Sequence, residues 1–269
     1  MSPLAARALA GLLEQSTGQQ LATGRQWRID TALAPVMRAH GLASLDALAT
    51  QAARPGAGLL RAEVVEALLN HETSFFRDMG MFRTLVDQAL PALVAARAGG
   101  AKRLRLWSAG CSTGQEAWSL ALALAARAEA WADWQVEIVA TDISPAVIAK
   151  ARDGLYNQFE VQRGLPITEL VGRFDPDGEA WRVRPAAPAR ISFFVHNLLD
   201  PAPAGQFDAI LCRNVLLYFS AERRRAVLDR LAAAIAPDGL LVLGAGETVL
   251  DQTEAFRPDP DLRGVYRRT

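Results

Sequence analysis

A run of small residues stands where a strand-like pattern gives way to a helical one. It reads Ser-Ala-Gly-Cys-Ser-Thr-Gly from Ser108 to Gly114, and small side chains at such a turn let the backbone approach a ligand closely. Gly110 and Gly114 lack the third glycine of a dinucleotide fingerprint, and no Lys-Ser/Thr follows them as in a phosphate loop. The loop suits a nucleoside cofactor, although tight turns of this kind are also common as purely structural features.

Two carboxylates lie close to this loop in the predicted elements. Asp142 ends the next predicted strand, at the edge of the sheet where a carboxylate can accept hydrogen bonds from both hydroxyls of a ribose. It could instead cap the helix that opens at Pro145, but Ser144 fits that role better. Glu116 lies in the first turn of the helix after the loop, where it either complements the helix dipole or faces a bound ammonium group. The pattern favours cofactor binding by Asp142 and leaves both roles of Glu116 open.

The amino-terminal part of the chain predicts only helices. Between residues 2 and about 69, apolar residues recur three and four positions apart, with interruptions near Gly41 and Pro55, which is the spacing of one helix face. A further helical stretch runs from Met79 to Ala98 and ends at a pair of glycines. We expect a small helical domain and a linking helix ahead of the glycine loop.

From residue 103 onward, strand and helix patterns alternate, which predicts a parallel sheet covered on both faces. The predicted strands are 103–107, 136–141, 191–195, 207–212 and 240–243, and the predicted helices are 115–130, 145–152 and 221–236. Region 155–190 interrupts this alternation with the turn Asp-Pro-Asp-Gly at 175–178 and the short run Trp181–Val183. It predicts a small inserted hairpin subdomain.

Composition argues against several classes of function. Lys plus Arg and Asp plus Glu both number 29 in 269 residues, so no net field attracts nucleic acid or an anionic membrane. The only two cysteines, Cys111 and Cys212, form no metal-type cluster and indicate reduced thiols. Neither a signal-peptide pattern nor an apolar run of membrane-spanning length is present. We therefore expect a cytoplasmic protein without a metal site.

Seven blocks of the sequence, in order, resemble the CheR-type protein-glutamate O-methyltransferases of bacterial chemotaxis. They are ETSFFRD (72–78), LWSAGCSTGQEAWSLAL (106–122), ATDIS (140–144), FEVQRGLP (159–166), NLLD (197–200), FDAILCRNVLLYF (207–219) and GAGET (244–248). The resemblance implies an α/β fold: a Rossmann-like methyltransferase sheet that binds S-adenosylmethionine (SAM), with a small N-terminal all-helical domain and an inserted small β subdomain. The implied domains are 1–70 (helical), 71–100 (linker helix and cofactor-lid motif) and 101–269 (methyltransferase, with the insertion at about 155–190).

The resemblance also implies the site residues. With Gly110 of the glycine loop, the cofactor-binding set is His71, Thr73, Arg77, Glu116, Asp142, Asn197, Leu198, Arg213 and Asn214. Arg77 and Tyr218 are the residues nearest the transferred methyl group; the product is S-adenosylhomocysteine (SAH), and no metal takes part. The family usually has asparagine where this chain has His71, with Asn70 one position earlier. Either His71 replaces that asparagine as a hydrogen-bond donor or the local register differs.

Methyl transfer to a carboxylate explains why no catalytic His or Cys constellation is present. A sulfonium is already an activated leaving group and a glutamate side chain is ionised at neutral pH, so no general base is needed. The protein must supply alignment instead, which accounts for about 7–11 kcal/mol of a barrier. We expect Arg77 and the Tyr218 hydroxyl to hold the acceptor carboxylate while Asp142 and Glu116 fix the cofactor.

The implied partner is the cytoplasmic helical bundle of a methyl-accepting chemotaxis receptor. In the family the amino-terminal helices help to grip the receptor, most simply here through Arg25, Arg28 and Arg38, although an ordinary solvated face fits these arginines equally well. The short turn after Phe174 favours a form that does not need a receptor's carboxy-terminal tethering peptide. We expect a monomer that binds no nucleic acid and does not insert into a membrane.

Two other functions stay open from the sequence. One is a SAM-dependent methyltransferase with the same pocket and a different acceptor, either another protein or a small molecule. The other is a non-catalytic module that senses SAM or SAH and signals through the helical domain. Arg77 and Tyr218 together argue against the sensor, because a sensor has no need to hold an acceptor group.

Overall fold

The computed structural model describes residues 3–21, 27–97, 100–185 and 187–269. The chain divides into two units, one comprising Met1–Asn70 and Leu217–Arg224 and the other His71–Leu216 and Arg225–Thr269. Within the described ranges, no helix combines the length and apolar content that crossing a bilayer requires.

Helices build the first unit. They are α1 (Pro3–Thr17), α2 (Trp27–Ala39), α3 (Leu45–Ala52) and α4 (Gly58–Leu68). α1 and α2 both pack against α4, and the fully buried side chains follow the spacing of a helix face: Leu9, Leu13, Ile29, Leu33, Leu48 and Val64. The segment 217–224 is attached to this unit through the backbone, because Gln20 N donates to the Tyr218 carbonyl at 2.7 Å.

Two sheets form the second unit. The strands are β1 (Arg103–Ala109), β2 (Gln135–Asp142), β3 (Leu155–Asn157), β4 (Phe174–Asp177), β5 (Ala180–Val183), β6 (Ala189–Val195), β7 (Phe207–Cys212), β8 (Ile235–Leu243), β9 (Phe256–Pro258) and β10 (Val265–Arg268). The seven-stranded sheet has the order β6-β2-β1-β7-β8-β10-β9, parallel from β6 to β8. This confirms the α/β fold class. The antiparallel strands β9 and β10 were not predicted.

The helices of the second unit depart from the predicted boundaries in three places: at 85–89, after residue 125, and at 235–236, where the chain is already in a strand. The helices are α5 (Met79–Thr84), α6 (Leu90–Ala96), α7 (Gln115–Ala125), α8 (Ala128–Trp131), α9 (Pro145–Asp153), α10 (Gln158–Gln162), α11 (Ile167–Arg173) and α12 (Ala221–Ala234). The first turn of α12 belongs to the first unit. A π-helical turn, Leu85–Ala89, separates α5 from α6. The predicted helix 115–130 ends at Ala125, because Arg127 has a non-helical backbone before α8 begins.

The inserted region contains a separate three-stranded sheet of order β3-β5-β4. β4 and β5 form an antiparallel hairpin whose turn is only Gly178 and Glu179. β3 adds a third strand on the other side of β5, and α10 and α11 lie between β3 and β4 in the chain. The region is therefore more than the hairpin that the turn signal predicted.

The carboxyl ends of four parallel strands meet along one edge of the large sheet. Ala109 of β1 pairs with Thr141 of β2, and Asp142 pairs with Val195 of β6. β7 lies on the other side of β1 in the same direction. The loops that follow these strands carry most of the predicted cofactor residues, so strand order alone places them at one edge.

Candidate functional site

The glycine loop follows β1 and is fixed by the end of β2. The backbone N–H groups of Gly110 and Cys111 both donate to the Thr141 carbonyl, each at 2.8 Å. Gly110 has φ +84°, and a Cβ at this position would lie 2.5 Å from Val215 Cγ2. Glycine is therefore required both by the backbone conformation and by the close approach of a neighbouring loop.

Asp142 ends β2, as predicted, and its carboxylate binds the glycine loop. Oδ2 accepts a hydrogen bond from Ser112 N at 2.9 Å, and Oδ1 accepts one from Ser144 N at 3.1 Å. The predicted helix cap is confirmed: the Ser144 hydroxyl accepts from Val147 N at 3.2 Å. Asp142 thus shapes the loop, and its contact with a ribose stays a prediction.

Glu116 is the counter-ion of a buried arginine, a role that the sequence did not predict. Arg213 Nη1 donates to Glu116 Oε2 at 3.0 Å, and Arg213 Nη2 donates to Asp78 Oδ2 at 2.6 Å. The Arg213 side chain is only 2% exposed. Burial raises the pKa of Glu116, although Arg213 and the hydrogen bond from the Ser108 hydroxyl oppose that rise.

One donor of Arg213 is left over in this network. Its Nε is buried and, among the described residues, has no hydrogen-bond partner. The guanidinium carbon lies 5.7 Å from the centre of the Phe82 ring. A buried donor without a partner costs about 1–3 kcal/mol, so an acceptor atom of a bound ligand would be stabilised here.

The loop after β7 is held by the carboxylate of Glu247. Its two oxygens accept hydrogen bonds from the backbone N–H groups of Asn214, Val215, Leu216 and Gly244, at 2.7 to 2.9 Å. Asn214 has a left-handed backbone with φ +58°, which a residue with a Cβ rarely adopts. No role was predicted for Glu247. The one local signal is an acidic residue between small residues just after a buried strand.

The segment that leads to Arg77 is anchored at several points. The Ser112 hydroxyl donates to the His71 carbonyl at 2.8 Å, and Phe76 N donates to the Ser119 hydroxyl at 2.8 Å. Phe75 is fully buried and Phe76 is 8% exposed, so both rings belong to the core. His71 thus contacts the glycine loop through its backbone, and a cofactor contact by its side chain stays a prediction.

Arg77 itself keeps donors that no carboxylate uses. Its Nη1 donates to the Glu72 carbonyl at 3.2 Å, and it forms no ion pair with any of the described residues. The adjacent Asp78 carboxylate is bound to Arg213 instead. Thr73 is half-buried in the same segment. Arg77 is therefore not an ion-pair partner of Asp78.

Asn197 and Leu198 follow β6 at the same edge of the sheet. The Asn197 side-chain oxygen accepts from Leu199 N at 3.0 Å, and its carbonyl accepts from Asp200 N at 2.8 Å. Leu198 is 8% exposed. These bonds give the loop a fixed conformation, and contact of Asn197 and Leu198 with a cofactor stays a prediction.

Tyr218 belongs to the first unit, whereas Arg77 belongs to the second. The Asn70 side-chain amide donates to the Tyr218 hydroxyl, a contact between residues far apart in the sequence. The expected pairing of Arg77 with Tyr218 stays a prediction. The Asn70 side chain thus orients the Tyr218 hydroxyl. From the sequence, Asn70 was considered only as a possible shift in register next to His71.

Three arginines were predicted to contact a receptor, and the side chain of one of them, Arg38, lies within the described residues. It is exposed in the last turn of α2. Arg25 and the side chain of Arg28 lie outside the described residues. In the described ranges, no group of three or more His, Cys, Asp or Glu side chains is arranged to hold a metal ion.

Comparison with known proteins gives a family match and several full-length relatives. Residues 71–261 match the family model described as CheR methyltransferase, SAM binding domain. The chain is 39% identical over 261 residues to chemotaxis protein methyltransferase 1 of Pseudomonas aeruginosa, covering 95% of this chain and 94% of that relative. It is 36% identical over 242 residues to chemotaxis protein methyltransferase Cher2 of Pseudomonas putida, covering 88% and 87%. A chemotaxis protein methyltransferase of Vibrio parahaemolyticus is 33% identical over 254 residues, covering 93% and 91%.

Proposed function

Because the chain belongs to the CheR methyltransferase family of SAM-dependent chemotaxis methyltransferases, we propose that it esterifies glutamate side chains on the cytoplasmic helical bundle of a chemoreceptor. The methyl donor is SAM and the product is SAH. The relatives' names supply the chemotaxis context, and the glutamate acceptor is proposed from the residues of the site.

The residues at the edge of the sheet fit a nucleoside linked to an amino acid. The glycine loop at Gly110 allows close backbone approach, and Asp142 provides a carboxylate of the kind that binds ribose hydroxyls. The unpartnered Nε of Arg213 offers a buried donor to an acidic group. The remaining proposed cofactor-binding residues are His71, Thr73, Arg77, Glu116, Asn197, Leu198 and Asn214. We propose that these residues bind SAM.

The proposal of a glutamate acceptor rests on the hydrogen bonds that Arg77 leaves unused. Its guanidinium has no carboxylate partner among the described residues, whereas the nearby Arg213 is already paired with two. A planar guanidinium binds a carboxylate through two parallel hydrogen bonds. We propose that Arg77 holds the acceptor glutamate, with the Tyr218 hydroxyl as the second contact.

Bound SAM supplies an electrophilic methyl group on a sulfonium. The protein's task is to hold the acceptor oxygen in line with it, and to do so without removing a proton, because the carboxylate is already ionised. Carboxylate and sulfonium charges cancel as the ester forms, so a site that excludes water favours the reaction. Arginine and tyrosine suit this task, because both donate hydrogen bonds to a carboxylate without changing their own protonation state.

Asn70 gives Tyr218 a defined role in this scheme. Because the Asn70 amide donates to the Tyr218 oxygen, the phenol proton is directed elsewhere and can be donated to an acceptor carboxylate. We expect Asn70→Ala to lower turnover in the otherwise wild-type protein and to have no added effect in a Tyr218→Phe background. If the two substitutions lower turnover independently, so that their fold-losses multiply in the double variant, Asn70 does not act through Tyr218.

The main test is transfer of a radiolabelled methyl group to receptor-containing membranes, followed by release of methanol with base, which identifies a methyl ester. Arg77→Ala and Tyr218→Phe are each expected to reduce turnover at least about tenfold, since each removes a hydrogen bond to a charged group. Arg83→Ala is the matched control, because Arg83 is an exposed arginine on the neighbouring helix α5. Unchanged rates in both site variants refute the acceptor assignment.

The same assay separates the alternatives. Label that enters another protein or a small molecule, or that base does not release as methanol, indicates a different acceptor. SAM binding without any transfer indicates a sensing module. If the purified protein binds neither SAM nor SAH, the proposed function is wrong.

We propose that the enzyme works without a receptor tethering peptide. The two-residue turn between β4 and β5 supports this, because relatives that bind such a peptide are expected to have a longer, glycine-containing loop. Calorimetric titration with a receptor carboxy-terminal peptide should give no saturable heat. Saturable binding with micromolar affinity contradicts the proposal.

Receptor contact through Arg25, Arg28 and Arg38 is a further proposal. Replacing all three by glutamate should weaken receptor methylation and leave SAH affinity unchanged, because the substitutions reverse charge on the helical unit only. Undiminished methylation at low receptor concentration contradicts it.

A further inference from the structure

The carboxylate of Glu247 connects two loops of the second unit. Oε2 accepts from Asn214 N at 2.7 Å and from Gly244 N at 2.9 Å. Oε1 accepts from Val215 N at 2.9 Å and from Leu216 N at 2.8 Å. A single side chain therefore satisfies four backbone donors, three of them from the loop after β7 and one from the loop after β8.

The fit around this carboxylate is tight. A Cβ at Gly244 would lie 2.8 Å from Glu247 Oε2 and 2.9 Å from Asn214 Nδ2. Asn214 itself has a left-handed backbone, which persists only when surrounding contacts over-determine it. The hydrogen bonds that the backbone N–H groups of Asn214–Leu216 donate to Glu247 supply that constraint.

The loop that Glu247 holds reaches the glycine loop directly. Val215 packs against Gly110 so closely that a single added carbon would overlap it. Asn214 is one of the proposed cofactor-binding residues, and the preceding residue, Arg213, binds Glu116. A displacement of the Asn214–Leu216 backbone would thus change the positions of Asn214 and of the glycine loop together.

We infer that Glu247 is a positioning residue for the cofactor: it sets the affinity for SAM and SAH by holding the Asn214–Leu216 backbone against the glycine loop. This inference rests on the proposed cofactor site. Glu247 acts through Asn214 and Val215, and it has no role in binding the acceptor glutamate.

Glu247→Gln tests the inference with the smallest change of shape. Glutamine keeps one acceptor oxygen and replaces the other by an NH₂ group, so two of the four backbone donors face a donor. We expect the dissociation constant for SAH, measured by calorimetry, and the KM for SAM to rise at least about tenfold. The KM for receptor and the kcat at saturating SAM should change much less.

Asp259→Asn is the matched control. Like Glu247, Asp259 lies in this unit and accepts hydrogen bonds from backbone donors, here Asp261 N and Leu262 N, both at 3.0 Å. Asp259 is buried, whereas Glu247 is half-buried. Its replacement should lower the melting temperature but leave the SAH dissociation constant within about twofold of wild type. A comparable stability loss in both variants, with loss of SAH affinity only in Glu247→Gln, separates positioning from general structural support.

A Glu247→Gln protein that binds SAH with wild-type affinity overturns the inference. If this variant does not fold, Gly244→Ala replaces it, because the added Cβ displaces the Glu247 carboxylate without removing it. Wild-type SAH affinity in folded Gly244→Ala also overturns the inference. Failure of the wild-type protein to bind SAH refutes the proposed function instead. Wild-type binding together with unaffected variants refutes only the role of Glu247.

Discussion

Gly110→Ala is the substitution whose cost the structure specifies most completely. The added Cβ would lie 2.5 Å from Val215 Cγ2, and the residue has φ +84°. Two penalties therefore act together at this position. One is the left-handed backbone of a residue that carries a Cβ, and the other is overlap with the valine side chain.

The two penalties can be separated and given magnitudes. A left-handed backbone costs a non-glycine residue roughly 1–2 kcal/mol, and overpacking a filled site costs about 1–3 kcal/mol. Gly178 has φ +61° but nothing within 4 Å of a Cβ placed there, so Gly178→Ala carries only the first penalty. We expect Gly110→Ala to lower the free energy of unfolding by about 1–3 kcal/mol more than Gly178→Ala does.

Urea denaturation followed by tryptophan fluorescence measures this difference. In the Gly110→Ala background, Val215→Ala should recover most of the overlap penalty, because it removes the methyl group that the new Cβ meets; the two changes should therefore be strongly coupled. SAH affinity should fall in Gly110→Ala and stay unchanged in Gly178→Ala. Equal stability losses in the two glycine variants, or no rescue by Val215→Ala, would show that the steric reasoning is wrong.

Three further predictions follow from buried charges and thiols. Arg213→Met should lower the free energy of unfolding by about 3–5 kcal/mol in chemical denaturation at neutral pH, since it leaves the mostly buried Glu116 without its counter-ion; a loss below about 1 kcal/mol contradicts the ion-pair assignment. The pKa of Asp259 is lowered from 3.8 because, although burial opposes ionisation, two backbone donors and Arg267 outweigh it. Its ionised form therefore stabilises the fold above pH 3.8, and this contribution is lost as the pH falls through the folded-state pKa, so wild type and Asp259→Asn should converge in acid melting experiments. Burial raises the pKa of Cys111 and Cys212, so a thiol reagent at pH 8 should label neither until the protein is unfolded, and rapid labelling of the folded protein contradicts this.

Most of the second unit's framework could be predicted from local patterns. Alternating strand and helix periods predicted β1, β2, β6 and β7 to within two residues, because side-chain periodicity reflects which face of an element is buried. β8 begins earlier than its predicted start, at Ile235 and not at residue 240. Ser144 was predicted as a cap because its side chain lies three residues from the donor that it binds. The turn between β1 and α7 was also predicted from a local signal, because the small residues of the glycine loop are contiguous in the sequence.

Other elements were not predicted. β9 and β10 are three and four residues long, too short for a period to emerge. They are defined by pairing of β10 with β8 and of β9 with β10. The π-helical turn at 85–89 and the early end of α7 also escaped prediction. The first had a local signal in Pro91, two residues after the turn, because proline cannot donate the backbone hydrogen bond of a regular helix.

The sequence by itself determined which residues lie at the edge of the sheet: Asp142 ends β2, and Gly110, Asn197 and Arg213 follow β1, β6 and β7. Only the tertiary structure decided what each of them contacts. Glu116 binds Arg213 across 97 positions, and Asn70 binds Tyr218 across 148. The four backbone donors on Glu247 come from loops after two different strands. Strand and cap signals arise within a few neighbouring residues, whereas a buried carboxylate or arginine is satisfied by whichever partner the fold brings within hydrogen-bonding distance, and no local pattern encodes that partner.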